Sequence, residues 1–169
     1  MKGRSIAVLA ILLVALASTT SFEARQTGIV TEGGCGCHGG MTSSTVITVD
    51  GLPDVFNASE EYLFTLTITN DDVPVENPDQ NGGFSMILTG GGVLESVPDI
   101  DGNTASEMDG GLTHNLDIND RRTWDFKWTA PADDTAIASF LIFGNAVNGN
   151  GAADASGEDQ WNKLELDVP

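Results

Sequence analysis

The chain has 169 residues, 25 acidic against 7 basic side chains and a formal net charge of −18. A polyanionic partner would be repelled by that charge, which excludes nucleic acid and anionic lipid surfaces as expected partners. The length suits one domain with a real core, and two cysteines and two histidines are the whole supply of soft or borderline metal ligands besides methionine.

Lys2 and Arg4 precede the apolar run Ile6 to Ala17, and Ala15-Leu16-Ala17 offers small residues for cleavage. This is the pattern of a secretory signal peptide, expected over residues 1–17. The run falls short of the ~20 residues a membrane span needs, and no later stretch is longer, so no transmembrane span is expected in the mature chain. Aspartate outnumbers glutamate and lysine is scarce, a composition suited to solubility in a saline medium.

Residues 18–43 form a glycine-rich N-terminal segment that contains Cys35-Gly36-Cys37-His38-Gly39-Gly40. A disulfide within Cys-x-Cys would be strained and would close almost no loop, so the pair is poorly suited to stapling a fold.

Residues 44–169 read as short strands punctuated by Gly, Asp, Asn and Pro. Thr45 to Val49 is a β-branched run. Tyr62, Phe64, Leu66 and Ile68 alternate with Leu63, Thr65, Thr67 and Thr69. Phe84, Met86 and Leu88 alternate in the same way, and a weaker strand spans Gly92 to Val97. Trp124, Phe126 and Trp128 alternate with polar residues, the clearest half-buried strand. Ala136 to Phe143 is apolar on both faces and suits a central strand; Leu164, Leu166 and Val168 close the series. With no helical stripe and no crossover helices, the expected fold is all-β, an antiparallel sandwich of about seven strands.

Three stretches are expected as long acidic loops: 70–83, 99–111 and 145–159. Asp99-Ile100-Asp101-Gly102-Asn103 resembles half of a calcium loop, but these are also ordinary turn residues, and solvated turns are the preferred reading. Asn57-Ala58-Ser59 is a glycosylation sequon.

Several segments together resemble one family. Cys37-His38-Gly39-Gly40 follows Thr27-Gly28; Gly83-Phe84 opens a strand; Thr113-His114-Asn115 precedes Trp124-Asp125-Phe126-Lys127-Trp128-Thr129-Ala130-Pro131. Phe143-Gly144-Asn145-Ala146-Val147-Asn148-Gly149-Asn150-Gly151 and Ser156-Gly157-Glu158-Asp159 complete the order. This order resembles the prokaryotic choice-of-anchor V domain, which is similar to the Reelin N-terminal (reeler) domain. The resemblance implies an immunoglobulin-like sandwich in a secreted or cell-surface module, with an extracellular or cell-surface partner that it does not identify. Members commonly carry Cys-x-x-Cys-His-Gly, one residue longer than the motif here. They usually sit upstream of a C-terminal anchor, whereas this sequence runs to Asp167-Val168-Pro169 directly after the last expected strand.

Three readings of the cysteine-histidine cluster stay open. Cys35, Cys37 and His38 could hold a c-type haem, with His114 as second axial ligand. The motif lacks one spacer residue, about 3.5 Å of chain reach, so attachment through Cys37 alone is the version that fits. Alternatively Cys35, Cys37, His38 and His114 could ligate a zinc ion, or fewer of them a copper ion, with Met41 as a further soft ligand. Thirdly, the cluster could be structural. No nucleophile elbow or activated triad is visible, so the expected function is non-enzymatic: adhesion, display or ligand binding.

Overall fold

In the computed structural model of the chain, the described residues are Gly28, Val30, 39–108, 110–150 and 158–169. Among them are nine strands and no helix. The strands are β1 (Val46–Asp50), β2 (Glu61–Thr69), β3 (Gly82–Thr89), β4 (Val93–Ser96), β5 (Ser106–Met108), β6 (Gly111–Thr113), β7 (Thr123–Thr129), β8 (Ala138–Ala146) and β9 (Gln160–Val168). They pair antiparallel in two sheets, ordered β1-β2-β7-β4 and β5-β6-β3-β8-β9. The antiparallel β-sandwich expected from the alternating pattern is therefore the fold.

The strand count differs from the expected seven because the stretch 99–111 is not a simple loop. It contains β5 and leads into β6, a hairpin in which Met108 pairs with Gly111. Three-residue strands are too short to show an alternation. The Asp109-Gly110 dipeptide was the available signal, since a two-residue hairpin turn needs φ > 0 and Gly110 has φ 84°.

The core lies between the sheets. In β2 and β7 the register sets Tyr62 opposite Trp128, Phe64 opposite Phe126 and Leu66 opposite Trp124. Phe84 of β3 and Phe140 of β8 reach across from the other sheet. The ring centroids of Phe84 and Phe126 are 5.2 Å apart, and those of Trp128 and Phe140 5.4 Å apart. Phe126, Trp128, Leu66 and Met86 are fully buried, each contributing about 1.5–3 kcal/mol of transfer free energy. Period-two alternation then fixes the other face of the five-stranded sheet. Gly83, Ser85, Phe143, Asn145 and Trp161 point away from this core.

One end of the sandwich is organised by Arg122. Its guanidinium donates to the carbonyls of Asn81 (2.9 Å), Asn70 (3.2 Å) and Val147 (3.2 Å), gathering both flanking loops onto one side chain. Burial pushes its pKa down, and the Asp159 carboxylate opposes that shift.

Candidate functional site

Cys35, Cys37 and His38 lie outside the described residues, but the chain on both sides of them is described. On the N-terminal side, Gly28 N donates to His114 O at 3.0 Å. On the C-terminal side, Trp161 Nε1 donates to Gly39 O at 3.3 Å, and Thr42 N donates to Trp161 O at 2.9 Å. Met41 and Trp161 form a parallel bridge. His114 directly follows β6 and Trp161 lies in β9, so both anchors are on the five-stranded sheet.

The anchors also stand at nearly the same height. Phe84 pairs with Gly144, which pairs with Asn162, and His114 N extends that row by donating to Phe84 O at 3.3 Å. The next row runs Gly83, Asn145, Trp161. His114 and Trp161 are thus separated by three strand spacings, about 14 Å. Gly28 and Gly39, the described residues that flank Cys35, Cys37 and His38 in the sequence, are therefore both held on one sheet.

His114 fits against two glycines. A Cβ on Gly83 would stand 2.6 Å from its Cε1, and one on Gly28 would stand 2.8 Å from its Nδ1. The Gly28 backbone also presses on β6, where a Cβ would meet Thr113 Oγ1 at 1.9 Å. Only glycine permits either approach. The imidazole Nδ1 is 3.0 Å from Phe84 N and 3.0 Å from Phe84 O.

The outer face between the anchors is buried although it faces away from the core. Ser85, Phe143 and Asn145 are 3%, 2% and 4% exposed. The Phe143 and Trp161 rings lie 6.1 Å apart at a tilt of 54°. Among the described residues, Ser85 Oγ and Asn145 Oδ1 find no hydrogen-bond partner. A buried oxygen left without a donor is costly, about 1–3 kcal/mol. Sequence reasoning missed Ser85, Asn145 and Trp161. Asn145 lies inside the Gly144-to-Gly151 segment that carried the family resemblance, so its signal was available but had no chemistry attached.

The other predicted sites fall elsewhere. Asp99 Oδ1 accepts from the backbone N–H of Asp101 and of Asn103, both at 2.9 Å, and Oδ2 pairs with Arg121 Nη1 at 2.8 Å. The Asn103 and Asp101 N–H groups and the Arg121 guanidinium hold the Asp99 carboxyl below its ordinary pKa, against a raising effect of desolvation. The half calcium loop is therefore an Asx turn whose carboxylate is already satisfied by donors. Among the described residues no group of three or more His, Cys, Asp or Glu side chains is placed to hold a metal. A cleft of about 570 Å³ opens between the β3–β4 turn and the β5–β6 hairpin, lined by Gly90, Gly92, Val93, Glu107 and Leu112 among others. Glu107 is the one charged side chain among its described lining residues. Among the described residues no helix is long and apolar enough to cross a membrane.

No family model and no curated protein sequence matches the chain. Solved structures do. The Reelin-N domain of F-spondin shares 16% identity over 78% of this chain and 90% of its own, with a TM-score of 0.44. The human F-spondin reeler domain shares 16% identity over 88% of this chain and 99% of its own, with a TM-score of 0.43. A conjugative transposon lipoprotein from Bacteroides eggerthii shares 15% identity over 75% of this chain and 98% of its own, with a TM-score of 0.43. Reeler domains and bacterial lipoproteins thus stand among the structural neighbours of the chain.

Proposed function

We propose that the chain is an exported, non-enzymatic, extracellular or cell-surface module of the reeler type, with its ligand site on the outer face of the five-stranded sheet. The observation that carries the site is the anchoring of the two residues, Gly28 and Gly39, that flank the cysteine-histidine stretch in the sequence. Gly28 is fixed to His114 and Gly39 to Trp161 on the same sheet, with the oxygens of Ser85 and Asn145, unpartnered among the described residues, on the outer face of the strands between. Cys35, Cys37 and His38, which lie between Gly28 and Gly39 in the sequence, would supply a soft donor set, suited to copper(I) or zinc rather than calcium. Export is supported by the signal-peptide pattern of residues 1–17.

Binding is favoured over catalysis because the clearest charged groups are committed to turns and ion pairs. Asp99 pairs with Arg121, Lys127 sits between Glu61 and Glu95, and Asp133 closes its own turn on Thr135. The test is metal analysis of the chain expressed with its leader in a host that attaches c-type haem. Bound copper or zinc without a Soret band supports the metal site. A Soret band replaces it with a haem protein, and a product that takes up neither sinks the cofactor part of the proposal.

A further inference from the structure

We infer that His114 is a positioning residue, not a metal ligand: its ring stands in for a strand carbonyl on Phe84 N, while its own carbonyl holds Gly28. The inference deepens the proposed site and rests on that reading only for its metal readout.

The argument is an accounting of donors and acceptors around Phe84. In an antiparallel ladder, the pair formed by Phe84 and His114 would exchange two bonds, His114 N to Phe84 O and Phe84 N to His114 O. The first is present at 3.3 Å. The second is not, and His114 O accepts from Gly28 N at 3.0 Å. Phe84 is buried, so its N–H needs an acceptor, and His114 Nδ1 at 3.0 Å is the one it has. The opposite assignment would have Nδ1 donate to Phe84 O. That oxygen already accepts from Thr113 Oγ1 at 2.8 Å and from His114 N, which fills its two lone pairs. The neutral ring is thereby the tautomer with the proton on Nε2. Such a ring offers no lone pair to a metal while it keeps the Phe84 bond. Gly83 and Gly28 clear the space for this arrangement, since a Cβ on either would collide with the imidazole.

The side chain that best mimics an Nδ1 acceptor is Asn, whose Oδ1 occupies a similar position. The full exported chain is compared with its His114→Asn and His114→Ala variants by three readouts. In the parent, nitrogen-15 NMR of the ring should show the Nε2-protonated tautomer. Amide exchange at Gly28 and Phe84 should speed up about fivefold or more in His114→Ala and be restored in His114→Asn. Titration with copper(I), read by thiolate charge-transfer absorption, should give the parent stoichiometry in His114→Asn. An Nδ1-protonated ring, or an Asn variant that protects Gly28 yet loses the copper signal, overturns the inference. A parent chain that binds neither copper(I) nor zinc fails the proposed site alone, and the tautomer and exchange readouts still decide the role of His114.

Discussion

His114 Nδ1 lies 3.0 Å from Phe84 N, in the position a strand carbonyl would fill. One residue therefore makes two joints. Its ring continues the β3–β6 pairing, and its carbonyl receives the chain that leads towards Cys35. The arrangement requires the bare Cα of Gly83 beneath the ring.

Gly83→Ala follows from that requirement. The new methyl would meet the imidazole at 2.6 Å, so the ring must leave its place. Overpacking of this kind costs about 1–3 kcal/mol, read as a lower urea midpoint with an unchanged slope. In a His114→Ala background the same substitution should cost much less, because the collision partner is gone. Equal costs in both backgrounds would show that the two residues are not coupled.

Phe126 tests the core. It stacks on Phe64 with centroids 5.4 Å apart and meets Phe84 edge-on, so it joins the two sheets. Phe126→Ala should cost about 3–5 kcal/mol in chemical unfolding. A loss under about 1 kcal/mol would place the residue outside a packed interior.

Arg122→Met keeps the aliphatic stem and removes the donors. The carbonyls of Asn70, Asn81 and Val147 then lose their shared partner. The expected loss is about 2–4 kcal/mol, with faster amide exchange in 70–83 and 145–150 while β2 and β7 keep their protection. Uniform loss of protection would mean that the guanidinium supports the whole sandwich instead of one end.

The acid limb of stability should report Asp99. Its folded-state pKa is depressed by the Asn103 and Asp101 N–H groups and by Arg121. The stabilisation is therefore complete above the unfolded carboxyl value, about pH 4, and is lost as pH falls through the lower folded value. Asp99→Asn should flatten this part of the curve of stability against pH. An unchanged acid limb in the variant would assign it to other carboxylates.

The long alternating strands were legible because burial on one face imposes a period of two. Phe64, Leu66 and Ile68 in β2, and Trp124, Phe126 and Trp128 in β7, are inward as expected. The β5–β6 strands were not legible from alternation, since three residues cannot display a period, and only the Asp-Gly pair between them carried a signal. The outer face was hidden for a different reason. Phe143 and Asn145 read as core or loop, and nothing in their spacing says that the chain before β1 returns to this sheet. His114 was singled out for its scarcity, but its bond to Phe84 N depends on where the Gly28 amide goes, which no local pattern encodes. Arg122 was likewise invisible, because its partners are backbone carbonyls.

The most direct test of the proposed site is copper(I) stoichiometry of the chain beside its Cys37→Ser variant, prepared and titrated identically. The account predicts about one tightly held ion in the parent and its loss in the variant, with the fold retained by circular dichroism. A parent that binds no ion, or a Cys37→Ser variant that binds as the parent does, would contradict it.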